Sequence, residues 1–171
     1  MGHDISAYIK TKSTPKDDSF YASENEVAYF RIGAFNTTRQ RLFYGTLRGS
    51  DVANAGVSGN GSTLDFTEDE IKQAISACKY YMDDDSSLRE NLLEQKMEAE
   101  ESIKKFASIL QHLTSFYGNA INDCITPNDE ISIQDLRENI ADIWKFHEDI
   151  LSAYNDVKNT DDSAQIQIYF G

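Results

Sequence analysis

Arginines close to a glycine-rich stretch are the residues of this chain best suited to chemistry. Arg31, Arg39, Arg41 and Arg48 lead into GVSGNG at 56–61. Guanidinium forks beside successive glycine amides suit an anion such as phosphate, because both present N–H donors to it. Asn36, Ser58, Gly59, Asn60 and Gly61 add short polar groups and permissive backbone. Tyr29, Phe35 and Tyr44 lie near enough in sequence to stack on a base or ring. The structural alternative is that the arginines pair with acids of the second half and seal the domain. His3 and Asp4 offer a different chemistry: a general base or a metal ligand at the start of a strand, and a hydrolase if Ser58 supplied the nucleophile. Their structural alternative is the exposed end of an edge strand.

The glycine stretch matches no phosphate-loop or hydrolase pattern. No Gly-Lys-Ser/Thr follows it, as a Walker loop requires. Its spacing is G-x-x-G-x-G rather than the G-x-G-x-x-G of a dinucleotide fingerprint. A nucleophile elbow needs glycine at position 60, which is Asn60. What remains is a flexible bend whose N–H groups can form an anion nest.

Metal chemistry finds little support. His3, His112, His147, Cys78 and Cys124 lack zinc-ligand spacing. Asp83, Asp84 and Asp85 lack the alternating ligands and distal glutamate of a calcium loop, and read as a solvated helix end. No cofactor is expected. Two cysteines are too few for a disulfide framework and read as reduced, buried thiols.

Charge is unevenly distributed. The 171 residues carry a net charge of −13. Residues 1–64 hold seven Lys/Arg and six Asp/Glu, whereas residues 65–171 hold nine and 23. An acidic surface disfavours direct nucleic-acid contact and anionic membranes. The acids of the second half, among them Glu94, Glu98, Glu100, Glu101, Glu138, Asp142, Glu148 and Asp149, read as solvated faces. Their functional alternative is to dock on a basic protein partner or to imitate a nucleic acid. No apolar run is long enough to span a bilayer and no signal peptide is evident, so a cytoplasmic protein is expected.

The elements that must position these groups read as α+β. DISAYIKTK (4–12) alternates, and EVAYFRI (26–32) is dense in β-formers; the two are expected to pair antiparallel. Residues 37–48 read as a short helix capped by Asn36. A short extended piece at 63–66 precedes a helix opened by the capping box Thr67/Glu70, with Ile71, Ile75, Cys78 and Met82 on one face. A second capping box, Ser87/Glu90, opens a long helix over 88–118, ended near Gly118 and Asn119. After Pro127, Ser132 caps a last helix over 133–157. Its apolar stripe is Ile133, Leu136, Ile140, Ile143, His147, Ile150, Tyr154 and Val157, with His147 a packed core histidine and Trp144 in the helical core. AQIQIYFG (164–171) alternates as a terminal strand. The expectation is one domain over 1–171. It comprises a small antiparallel sheet built from both chain ends and packed on helices (1–82 and 164–171), with a long antiparallel helical hairpin within 86–158. Heptad-like seams on the hairpin would also permit a homo-oligomer.

MGHDISAY, EVAYFRIGAFN and AGVSGNGSTLDFTEDEIKQA together resemble a group of small prokaryotic and bacteriophage proteins. In that group a Gly-His-Asp start, an aromatic strand followed by Asn and a glycine-serine loop before a helix recur together. The resemblance covers residues 1 to about 80 and leaves out the hairpin. It implies a bacterial or phage setting and that the three features belong together; it carries no catalytic residues across. The leading expectation is therefore a non-enzymatic protein binding an anionic, nucleotide-like small molecule, such as a phage inhibitor that sequesters a host defence signal. An acidic protein-binding inhibitor acting through the hairpin, and a hydrolase using His3 and Asp4, are the two alternatives.

Overall fold

The structure is a computed structural model and describes residues 3–33, 37–47, 61–83 and 133–171. Four strands form one sheet: β1 (His3–Lys10), β2 (Ala28–Ile32), β3 (Ser62–Phe66) and β4 (Gln165–Phe170). Their order is β2-β1-β4-β3, and every pairing is antiparallel. The two ends of the chain thus meet in the middle of the sheet, with Ile5 opposite Phe170 and Ile9 opposite Ile166. β1 is an interior strand, which corrects the edge position weighed for His3 and Asp4.

Among the described residues three helices accompany the sheet: α1 (Thr37–Thr46), α2 (Glu68–Asp83) and α3 (Ile133–Lys158). Period-two alternation gives the sheet an apolar face of Ile5, Ala7, Ile9, Phe30, Ile32, Phe66, Ile166, Ile168 and Phe170, all buried. α1 and α3 close over it. Phe30 stacks on Phe43 at 4.8 Å and meets Phe146 at 6.0 Å, and Tyr44 stacks on Phe170 at 6.2 Å. Each fully buried Ile or Phe contributes about 1.5–3 kcal/mol, so this layer dominates the stability. Met1–Asp83 and Arg137–Gly171 form one compact unit.

The start of α2 follows from its capping box. Thr67 Oγ1 accepts from Glu70 N–H at 3.2 Å, while Glu70 Oε2 accepts from Thr67 N–H at 2.7 Å. Ile71, Ala74, Ile75 and Cys78 then face the core. In α3, Leu136, Ile140, Ile143, His147, Ile150 and Tyr154 are buried as their spacing predicts. Phe146 joins them. Trp144 does not: it is half-buried, donates its indole N–H to Glu148 at 2.8 Å, and carries Lys79 over its ring. It sits one position off the buried stripe, where an indole can keep its polar end wet. The second arm of the expected hairpin is thus present as α3; the first arm, 88–118, lies outside the described residues.

Gly61 enters β3 with φ +75. Its N–H donates to Phe170 O at 2.8 Å. A Cβ there would make ordinary contact with the Tyr169 hydroxyl, 3.5 Å away, so the cost of a side chain is conformational and not steric. Gly61→Ala should lose about 1–2 kcal/mol, measured by thermal or urea unfolding.

Candidate functional site

The second face of the sheet is polar, and part of it is covered. Two short 3-10 turns, Asp18–Tyr21 and Ser23–Asn25, fold back over it. Tyr8 is buried under Phe20 and Tyr21, with ring centres 5.8 and 5.2 Å away, and donates to Tyr21 O at 3.1 Å. Burial raises the Tyr8 phenol above its ordinary range. Lys10 lies over the Tyr21 ring and donates to its hydroxyl, which in turn donates to Gln167. Gln167 donates to Asp65. Ser6 donates to Glu26.

Beyond this cover the other end of the same face is open, and the strand directions make it a meeting point. β1 and β3 begin there; β2 and β4 end there. Asp4 is opposite Arg31 on one side. On the other, Asp4 N–H donates to Gly171 O at 3.0 Å and Gly171 N–H donates back to Asp4 O at 2.8 Å. Gly61 bonds to Phe170 O beyond that. Arg31, Asp4, Gly171 and Gly61 therefore stand in one row across the sheet. At about 4.8 Å per strand the row spans roughly 14 Å.

The side chains of this row are specific. The Tyr29 hydroxyl donates to Asp4 Oδ1 at 2.6 Å, and Arg31 Nε lies 3.5 Å from the same oxygen. The Arg31 side chain is 66% exposed and that of Asp4 50%. Donation to the Asp4 carboxylate holds the Tyr29 phenol protonated and raises its pKa, while the ring stays half-exposed. Tyr169 lies over the glycine half of the row: a Cβ at Gly171 would stand 2.6 Å from Tyr169 Cε1. Neither glycine carries a side chain, which leaves room for that ring. Donors and acceptors alternate here: guanidinium, carboxylate and phenol on one open face.

The structure separates two arginines that the sequence brought together. Arg39 lies on the opposite face of the sheet from Arg31. Its guanidinium sits 4.1 Å over the Phe30 ring, Nη1 donates to Asn139 at 2.7 Å and pairs with Asp142 at 3.0 Å, and Nε donates to Arg31 O at 2.9 Å. Its side chain is 18% exposed. Arg39 thus follows the structural alternative, an arginine that seals β2 and α1 to α3. Tyr44 is buried in the core and is no stacking platform. Arg41 lies on α1 and His3 opens β1, but the side chains of both, with Asn36, Ser58, Gly59, Asn60, Phe35 and Arg48, lie outside the described residues. Sequence reasoning missed Tyr169. Its place on the outward face of a strand beside β1 was available from the alternation in QIQIYF once β4 was paired.

Two further titratable groups, His147 and Cys78, are closed to chemistry. His147 is fully buried between Phe43 and Phe146, with ring centres 5.9 and 5.5 Å away. Its Nε2 is 3.1 Å from Thr46 Oγ1, and that hydroxyl donates to Phe43 O at 2.7 Å. Thr46 has one proton to give, so Nε2–H is the donor and Nδ1 is a bare acceptor, without a partner. Desolvation pushes the imidazole down to about 3. Cys78 is buried and its thiol is pushed up to about 12, which leaves no thiolate for nucleophilic or metal chemistry. Among the described residues no three His, Cys, Asp or Glu gather as a metal site, and no helix is long and apolar enough to cross a membrane. Three acids of α3 are engaged locally: Asp142 with Arg39, Glu148 with Trp144 and Asp149 with Lys145. Glu94, Glu98, Glu100 and Glu101 lie outside the described residues. Compared with family models, curated proteins and solved structures, the chain finds no match in any of the three.

Proposed function

We propose that this chain is a non-enzymatic binding protein that holds an anionic, nucleotide-like small molecule on the open end of its sheet. The observation that carries the reading is the row Arg31–Asp4–Gly171–Gly61. It gathers the Asp4 end of β1, an exposed guanidinium and the last residue of the glycine stretch. Arg31 supplies the fork for an anionic oxygen, and Tyr29 an exposed ring for stacking. Among the described residues, the hydroxyl–imidazole pair Thr46–His147 is sealed in the core, away from any substrate, and is not a catalytic pair. The setting we propose is a bacterial or phage-infected cytoplasm, where such a protein would withhold a nucleotide signal from a host defence system. That setting rests on the resemblance of residues 1 to about 80.

Titration calorimetry against mono-, di- and cyclic nucleotides tests the reading. At about 100 μM protein even micromolar affinities register. The expected result is heat with at least one nucleotide, weakened about tenfold or more by Arg31→Ala, the effect of losing a charge-assisted hydrogen bond. No heat with any nucleotide would overturn it.

A further inference from the structure

The open end of the sheet is not a simple anion site. Asp4 lies beside Arg31, and Glu26 and Asp65 share the same face. A bare phosphate or pyrophosphate approaching Arg31 meets the Asp4 carboxylate within one residue's width. Like charges that close repel, and the cost grows as water is excluded. An anion alone is therefore a poor fit to this row.

The carboxylate is only partly used. The Tyr29 hydroxyl and Arg31 Nε both lie against Oδ1. An ionised carboxylate has about four acceptor positions on its two oxygens, so Oδ2 retains capacity on the open face. Asp4 is also held in place. Its backbone N–H and C=O are both bonded to Gly171 on one side, and it lies directly opposite Arg31 of β2 on the other. A fixed, half-exposed acceptor next to a fixed, exposed donor recognises a molecule that brings both an anion and hydroxyl donors. Sugar hydroxyls donating to a carboxylate are how dinucleotide-binding folds read ribose.

We infer that Asp4 is a specificity residue: it accepts hydrogen bonds from the ribose hydroxyls of a ribonucleotide whose phosphate is held by Arg31. Asp4 thereby selects ribonucleotides over inorganic phosphates and over sugars that lack those hydroxyls. The inference rests on the binding proposed above and names its ligand class. Arg31 and Asp4 then divide the work. Arg31 supplies attraction for any anion; Asp4 repels every anion and repays that cost only where hydroxyls are present. Tyr29 orients the carboxylate by donating to Oδ1, which turns Oδ2 toward the ligand.

Calorimetry with 5′-AMP, its 2′,3′-dideoxy analogue and inorganic pyrophosphate tests this in the full chain, for the wild type and for Asp4→Asn. The wild type should bind AMP about tenfold or more tighter than the dideoxy analogue, the size of a hydrogen bond to a charged acceptor. Asp4→Asn should weaken AMP while strengthening pyrophosphate, because the charge is gone from both encounters. A merely structural Asp4 would weaken all three alike, and that outcome overturns the inference. Equal binding of AMP and its dideoxy analogue by the wild type also overturns it, while leaving nucleotide binding in place. No heat with any of the three overturns it too; the parent reading falls only if the whole nucleotide panel is silent.

Discussion

Lowering the pH from 6.5 toward 4.5 should destabilise the fold by up to about 1.4 kcal/mol per pH unit through His147 alone. The imidazole is fully buried, and desolvation lowers it from 6.5 to about 3. The unfolded chain therefore takes up a proton below 6.5 that the folded chain refuses until about 3. Stability from this group is complete above 6.5 and is lost as the pH falls through that window. Two carboxylates are also lowered, Glu68 by its hydrogen bond with Lys72 and Asp161 by Ser163. Their stabilisation fades only below their ordinary values of 4.5 and 3.8, so among the described residues whose groups are shifted the interval from 6.5 to 4.5 isolates the histidine. His147→Leu should change stability at pH 7.5 by less than about 2 kcal/mol, since it loses the Thr46 contact but also removes an unpartnered Nδ1. Urea unfolding at each pH should show the slope between 6.5 and 4.5 in the wild type and its absence in the variant. Equal slopes in the two proteins would show that His147 is not held neutral.

Replacing Arg39 with alanine should lower stability by roughly 2–4 kcal/mol, a fall in Tm of about 5–15 °C for a chain of this size. At least four contacts go together, among them the Phe30 ring, Asn139, Asp142 and the Arg31 carbonyl. An exposed ion pair alone would contribute under about 1 kcal/mol. The larger figure rests on the side chain being mostly covered and on the fork reaching three acceptors on two elements. Arg39→Lys keeps the charge but offers one ammonium in place of the planar fork, and should recover less than half of the loss. Differential scanning calorimetry of the three proteins decides it; a shift under 2 °C for Arg39→Ala would mean that α3 and β2 are held by their apolar contacts alone.

Much of the architecture was legible because its signals are local. Alternation in DISAYIK and QIQIYF marked strands, and Thr67 with Glu70 marked a helix start, because both patterns follow from backbone geometry within a few residues. Pairing β1 with β4 was also accessible, since a strand at each end of the chain had a common apolar face to bury. What failed to show was which face each polar residue would meet. Arg31 and Arg39 are eight positions apart, one on a strand and one on a helix. One guanidinium faces outward and the other lies over Phe30, a difference that their spacing in the sequence does not carry. Nothing in the sequence around Tyr21 shows that it covers Tyr8 and reaches Gln167 on the far side of β1. The site row was hidden for the same reason. Arg31, Asp4, Gly171 and Gly61 come from four separate segments, and only the register of three strand pairs aligns them.

The most direct measurement is an amide chemical-shift titration of the isotopically labelled protein with AMP. Saturable shifts should concentrate on Asp4, Tyr29, Arg31, Gly61, Tyr169 and Gly171, and should be lost in Arg31→Ala. Shifts confined to the outward face of α2 around Tyr80, or no saturable shift anywhere, would contradict binding at the open end of the sheet.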